Sequence, residues 1–241
     1  RGDFGESFRT GAPVFPEIIS RFKITAELAV LSCIMSLIIA IPLGILSALK
    51  RNRPVDKGVR VVALLGVSVP SFASATLIIL FLSKAFGYFT PVKYVPLFEN
   101  LGTNLEIMLL PAFILGTSMA GSVMRMTRSS ILEVLRQDFI KAVRAKGASE
   151  RITIFRHALK NGCIPIITLV GMQMGSLLGG TVVIEQIFSI PGLGQYVLTG
   201  ISQRDYPVVQ GCVLFIAFVY VIINLLVDIL YTYVDPRIQY D

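Results

Sequence analysis

The sequence contains 241 residues, of which 54% are hydrophobic and only 15% are charged. Soluble globular domains are nearer a quarter charged, so this composition excludes an ordinary soluble domain and indicates a membrane protein. The formal net charge of +7 would suit a nucleic-acid-binding protein if the basic residues shared one water-exposed face. Long apolar runs separate them instead, and membrane topology explains their distribution better.

Five windows without a formal charge are long enough to cross a bilayer as helices. A spanning helix needs about 20 mainly apolar residues, and the residue mix of these windows is that of helices rather than of alternating barrel strands. They cover residues 28–49, 61–83, 107–124, 162–184 and 206–227. We therefore predict an all-α, polytopic membrane protein with an outer segment at 1–27, a membrane domain at 28–235 and a tail at 236–241.

The distribution of basic residues between the windows predicts the orientation. Residues 50–60, residues 125–161 and the tail together carry fifteen Lys or Arg, against seven on the opposite side. Because cytoplasmic loops are enriched in basic residues, we expect both loops and the C-terminus in the cytoplasm. Five spans then leave residues 1–27 outside with nothing to carry them across, so we expect a further span upstream of Arg1.

The loop at 125–161 is too polar to cross the membrane and too apolar for a disordered tail. Residues 138–146 predict a short helix, and Gly147 suits the left-handed conformation that ends helices. Ser149 is placed to cap a second helix. Three apolar residues share one face of that helix: Ile152, Phe155 and Leu159. The pattern predicts a helix–turn–helix elbow with an apolar ridge among basic residues.

Two kinds of partner suit such an elbow. A basic amphipathic helix can lie on anionic lipid. The Gly-x-Ser turn favours a shaped protein partner instead, because lipid binding requires no such corner.

No residue pattern predicts catalysis or metal binding in this chain. The lone His157 has no acidic or cysteine neighbours that would form a metal site or a nucleophilic relay. The three cysteines have no paired spacing, and no Gly-rich phosphate loop ending in Lys-Ser or Lys-Thr occurs. We predict a protein that is not itself an enzyme.

Two features of the fourth window have more than one interpretation. Gly171, Gly175 and Gly179 repeat every four residues, which predicts either close helix packing or a moving interface along a substrate path. Glu185 lies at the outer end of the window. The residues after it that predict a bend are Pro191, Gly192 and Gly194. Glu185 either holds that bend or forms an outer gate or a binding-protein contact.

Several motifs together resemble the permease subunits of ABC importers. On their EAA-loop pattern the glycine falls on Gly147, the middle alanine on Ala142 and the leucine on Leu159. Four positions depart from the pattern: Lys141, Val143, His157 and Lys160. The stretches "RAKGASE" and "RHALKN" are similar to the peptide and nickel branch, where the acid and the proline are commonly absent. "GDFGES", "SVPSF", "VIEQIFSIPGLGQ" and "DPRIQY" resemble the same branch, the last its first permease subunit.

The resemblance implies a type I ABC importer permease fold with six spans, the first lying before residue 1. It assigns ATPase coupling to a set of elbow residues: Ala142, Gly147, Ser149, Ile152, Phe155 and Leu159. The implied partners are a homologous second permease, two cytoplasmic ATPase subunits and an external solute-binding protein. ATP and Mg would be held by the ATPases, with no cofactor on this chain, and the chain would lie in a bacterial cytoplasmic (inner) membrane.

The implied cargo is a dipeptide or an oligopeptide. A nickel complex, a glutathione-like peptide and an opine-like conjugate are alternatives within the same branch. In a different class of function, the chain would be a membrane scaffold or receptor subunit whose elbow binds something other than an ATPase.

Overall fold

The computed structural model describes residues 4–89, 91 and 93–234. Within these residues the chain is almost wholly helical and forms no β-strand, which confirms the predicted all-α class. The helices are α1 (Val14–Leu49), α2 (Pro54–Ser68), α3 (Ser71–Phe86), α4 (Leu101–Val134), α5 (Asp138–Ala145), α6 (Leu159–Gly180), α7 (Val182–Ile187), α8 (Leu193–Gln203) and α9 (Tyr206–Val234). A π-helical segment, Ile152–Ala158, runs directly into α6. The predicted tail at 236–241 lies outside the described residues.

Three helices of the described chain are long and apolar enough to cross a membrane: α1, α4 and α9. The pair α2 and α3 adds a fourth if the two helices form one span. These helices contain four of the predicted windows, and α6 covers most of the remaining one. The number of five spans stays a prediction.

The predicted second span is not one helix. Helix α2 ends at Ser68 and α3 begins at Ser71, with Val69 in an extended conformation at φ −87° and ψ 120°. The ring of Pro70 disfavours a helical conformation in the residue before it and supplies no backbone N–H. Pro111 and Pro165, in contrast, lie inside continuous helices.

The helix of the fourth window also ends four residues earlier than predicted. Helix α6 ends at Gly180, where two consecutive glycines have poor helix propensity. Glu185 therefore lies in the separate short helix α7 rather than at the end of a span. At the other end of the chain, α1 begins at Val14, so part of the predicted outer segment 1–27 belongs to the first long helix.

The described residues divide into two compact units, and the first is built from those within 4–34, 70–116 and 174–224. Its core joins the start of α1 to α8 and α9 through a buried apolar cluster: Val14, Ile18, Leu193, Val208 and Cys212. The rings of Phe22 and Phe215 meet edge to face beside it, with centroids 5.0 Å apart.

The segment before α1 is fastened to the same unit by Asp205. The Ser7 hydroxyl donates a hydrogen bond to this buried carboxylate, and the Phe8 N–H donates another at 3.2 Å. Burial alone would raise the pKa of Asp205, but these hydrogen bonds to the charged form outweigh it and hold the pKa below its usual value.

Among the described residues, the second unit contains residues 35–69, 117–173 and 225–234. One buried cluster brings α1, α2, α4 and α6 together: Ala40, Val59, Ala63, Ala120, Val123, Met124 and Ile166. Glycine allows the helices to approach closely. A Cβ added at Gly44 would lie 2.6 Å from the Cβ of Thr127, and one at Gly66 would lie 3.0 Å from the Thr117 carbonyl oxygen.

Candidate functional site

The elbow predicted within the loop at 125–161 forms, and its turn has the conformation that the sequence indicates. Helix α5 ends at Ala145, and Gly147 adopts the left-handed conformation at φ +84°. Ser149 Oγ then accepts a hydrogen bond from the Ile152 N–H at 3.4 Å, and the Thr153 N–H donates to the Ser149 carbonyl at 2.9 Å. The predicted cap is therefore confirmed.

An ion pair spans this turn. The Nε of Arg144 lies 3.0 Å from Oε1 of Glu150, and both side chains are well exposed. Exposed pairs of this kind contribute little free energy. The angle between the two arms of the elbow therefore depends on the backbone conformation of Gly147 more than on the pair.

One side of the elbow is buried against the ends of two long helices. Ile140, Ile154 and Ala158 of the elbow form a cluster with residues of α1 and α4: Ile45, Ala48, Ile131 and Val134. Ile140 is completely buried. The sequence pattern predicts a docking ridge in this loop and gives no signal for the buried side. The buried cluster fixes the elbow to α1 and α4.

The opposite side of the elbow is open. Phe155 is 60% exposed and Ile152 is 47% exposed, although both are large apolar side chains. Ala142, Gly147 and Ser149 are exposed as well. Exposed apolar side chains on a shaped corner are typical of a surface that a partner covers.

Leu159 does not continue this exposed ridge, contrary to the expectation that it shares a face with Ile152 and Phe155. It is half-buried and packs against both apolar clusters of its unit. Leu159 is the first residue of α6, where the second arm of the elbow reaches apolar residues of α1 and α4, so its side chain has apolar neighbours on the permease side. The exposed ridge therefore contains Ile152 and Phe155 only.

Glu185 is at the centre of the bend after α7. Its carboxylate is fully buried and accepts hydrogen bonds from the hydroxyls of Thr25 at 2.7 Å and Thr181 at 3.0 Å, and from the Gln195 N–H at 2.9 Å. The Thr25 hydroxyl in turn accepts from the Leu193 N–H at 2.8 Å. The carboxylate thus connects α1, α7 and the start of α8.

The two glycines of the bend make room for this carboxylate. A Cβ at Gly192 would overlap it, and a Cβ at Gly194 would lie 2.9 Å from Oε2 of Glu185. Pro191 beside them is half-buried. These contacts favour the interpretation that Glu185 holds the bend. The alternative role in a gate requires the carboxylate to be released from these donors.

The glycine repeat of α6 packs against α9 at two of its three positions. A Cβ at Gly171 would overlap the side chain of Val227, and one at Gly175 would lie 2.6 Å from the ring of Tyr220. Gly179 has no such neighbour within 4 Å and is exposed. Close packing within the chain therefore accounts for Gly171 and Gly175 but not for Gly179.

One buried acidic residue of the second unit was not predicted from the sequence as part of any site. Asp56 is fully buried and pairs with Arg128 at 2.8 Å. Its only signal in the sequence is that it is the single acid among the basic residues at 50–60. In the described part of the chain, no three His, Cys, Asp or Glu side chains lie together as a metal site would require.

Comparison with known proteins identifies the family. The chain is 40% identical to the dipeptide transport system permease protein DppB of Alkalihalophilus pseudofirmus, over 99% of this chain and 78% of that protein. It is 41% identical to the oligopeptide transport system permease protein AppB of Bacillus subtilis, over 100% of this chain and 77% of that protein.

The fold is that of a solved ABC transporter chain. A structure of the MetNI methionine ABC transporter in an inward-facing conformation matches with a TM-score of 0.75 over 92% of this chain and 98% of that one, at 16% identity. Residues 40–240 match the family described as the binding-protein-dependent transport system inner membrane component. This chain therefore belongs to that family of transport permeases.

Proposed function

We propose that the chain is the membrane-spanning permease subunit of an ATP-driven importer that takes up dipeptides or oligopeptides. The named relatives are permeases of dipeptide and oligopeptide transport systems, and they support the choice of cargo. The partners in this proposal are a homologous second permease, an external solute-binding protein and two ATPase subunits, which bind ATP and Mg. The chain lies in the inner membrane with its C-terminus in the cytoplasm.

The two-sided construction of the elbow carries this proposal. Phe155 and Ile152 are exposed for a partner, whereas Ile140 on the other side is completely buried against α1 and α4. A force applied to the exposed side is therefore passed to two long helices through a close-packed apolar contact rather than through a flexible linker. Closure of the ATPase pair would move the elbow and, with it, the helices that surround the transport pathway.

Lipid binding by the elbow predicts a different ranking of its residues. A helix lying on anionic lipid depends on its basic side chains, which here are dispersed and exposed around the turn, as Arg144, Lys146 and Arg151 are. The left-handed Gly147 and the Ser149 cap would contribute nothing specific to lipid binding. Both features have a use if the elbow fits a groove of fixed shape.

The test is reconstitution of the complex in proteoliposomes with ATP inside and peptide-loaded binding protein outside. Phe155→Ala should reduce both co-purification of the ATPase and uptake of labelled dipeptide, because an exposed aromatic anchor is lost. Phe98→Ala is the matched control, since Phe98 is an exposed aromatic residue outside the elbow, and it should leave ATPase binding unchanged.

Two outcomes would contradict different parts of the proposal. An ATPase that binds equally well to wild type and Phe155→Ala would show that the elbow is not the coupling surface. A functional complex that couples ATP hydrolysis to another solute but never to peptides would show that the cargo is wrong while the coupling stands.

A further inference from the structure

Asp56 forms a clamp between three helices of the second unit. Its carboxylate accepts hydrogen bonds from the Ser47 hydroxyl at 2.6 Å and from the Asn52 N–H at 2.8 Å. Arg128 donates from Nε at 2.8 Å and from a terminal guanidinium nitrogen at 3.0 Å. Ser47 lies near the end of α1, Asp56 in the first turn of α2 and Arg128 in α4.

Asp56 has more hydrogen-bond partners than an acidic residue needs in order to stabilise the first turn of a helix. An acidic residue in the first turn already interacts favourably with the helix dipole when it is exposed to water. Asp56 is instead completely buried, and a buried charge is tolerated only when it is paired and its hydrogen bonds are satisfied. The loop before α2 also contributes to this site, since the N–H of Asn52, a residue in the left-handed conformation at φ +64°, donates to the carboxylate.

The clamp adjoins the attachment of the elbow on both of the helices that hold it. In α1, Ser47 lies between Ile45 and Ala48, which contact the elbow, and in α4, Arg128 lies one turn before Ile131 of the same cluster. As the structure describes that cluster, it contains residues of α1 and α4 but none of α2. The Asp56 carboxylate supplies the polar connection from these helix ends to α2.

From this arrangement we infer that Asp56 is a positioning residue for energy coupling. The clamp locks the adjoining ends of α1, α2 and α4 into one block, so that movement of the elbow is passed to α2 as well as to α1 and α4. This inference rests on the proposed function, because it requires an elbow driven by an ATPase. It assigns a role to Asp56 and Arg128, which the elbow motif does not include.

The experiment compares transport with ATP hydrolysis in the whole reconstituted complex. Asp56→Asn replaces a carboxylate with a group that has one acceptor oxygen and leaves Arg128 without a counter-charge. We expect peptide uptake per ATP hydrolysed to fall by about tenfold, with co-purification of the ATPase retained. Lys57→Gln, an exposed neighbour in the same turn, is the matched control and should keep the wild-type ratio.

Two further variants separate positioning from simple folding. The double variant Asp56→Asn with Arg128→Gln removes the unpaired charge, so its accumulation in the membrane should recover, while uptake per ATP stays low because the bidentate connection is absent. Ser47→Ala removes one hydrogen bond and no charge, so it should fold and lower the ratio by about twofold to fivefold.

The outcomes separate this inference from the proposed function. A wild-type complex whose ATP hydrolysis does not respond to loaded binding protein would overturn the proposed function itself. A responsive wild type in which Asp56→Asn keeps the normal uptake per ATP would overturn the clamp alone. Full recovery of the ratio in the double variant would do the same. If Asp56→Asn fails to accumulate, an unchanged ratio in Ser47→Ala would refute the clamp.

Discussion

Gly147 offers a direct test of whether the elbow acts through its shape. The residue has φ +84°, and a Cβ built on it meets no atom within 4 Å. A substitution there is therefore opposed by backbone conformation and not by crowding. A residue with a Cβ costs about 1–2 kcal/mol in the left-handed region, and a β-branched residue is disfavoured further. Asparagine is tolerated in this region because its side chain can bond locally.

The matched pair is Gly147→Val and Gly147→Asn. If the free valine variant adopts another turn, returning to the native turn in the complex costs about 1–2 kcal/mol, and its affinity for the ATPase should fall by about 5- to 30-fold. The affinity of Gly147→Asn should stay within about twofold of wild type. The affinity is measured by titrating purified ATPase onto the permease pair in nanodiscs. Insertion into the membrane should be the same for both variants, since neither change lies in a long apolar helix.

The comparison that removes charge is the double variant Arg151→Gln with Arg156→Gln, at two exposed residues of the second arm. Because charges at the rim of an interface contribute little, we expect a milder and salt-dependent loss of ATPase binding. Equal affinities for Gly147→Val and Gly147→Asn would refute the argument from backbone conformation. Loss of the elbow's binding to anionic lipid in the arginine variant, with normal transport by Gly147→Val, would show that the elbow rests on lipid.

Three further predictions concern other parts of the chain. Phe155→Ala should leave the thermal stability of the isolated permease within about 1 kcal/mol of wild type, because the ring is 60% exposed, yet should weaken ATPase binding by about tenfold or more in the same titration. Gly175→Leu should reduce the thermal stability of the permease because its side chain would clash with the ring of Tyr220, whereas Gly179→Leu should not, since no atom lies within 4 Å of the added Cβ. A larger loss of stability in Gly179→Leu would show that α6 packs differently. At pH values above the ordinary carboxyl pKa of about 4, the hydrogen bonds of Asp205 should stabilise the segment before α1; because the pKa is lowered in the folded state, this stabilisation should be lost as the pH falls below that value. Amide hydrogen exchange of residues 4–13 should show the loss in wild type, whereas in Asp205→Asn these amides should exchange fast at every pH.

Composition and local residue patterns were enough to predict the class of the protein and the position of its elbow. Apolar runs of spanning length depend only on composition along the chain, and they located the long helices. The turn at Gly147 was also predictable, because a glycine between a helical pattern and a capping serine is a local signal. The structure confirmed both the left-handed Gly147 and the hydrogen bond to Ser149.

The effect of each proline on its helix was not predictable from the sequence. Pro111 and Pro165 lie within continuous helices, whereas the helix is interrupted at Pro70. The residue type is the same in each case and removes the same backbone donor. The local sequence therefore does not tell an interrupted helix from a continuous one at these positions.

The partners of the buried charges could not be predicted either, because they depend on how the helices pack. Glu185 meets the Thr25 hydroxyl from 160 positions away, and Asp56 meets Arg128 from 72 positions away. No spacing rule connects residues so far apart, since their contact depends on how separate helices pack. The same packing buries Ile140 and leaves Phe155 exposed. Hydropathy alone marks both as apolar, and only the placement of α1 and α4 determines which of them is attached and which is free to bind.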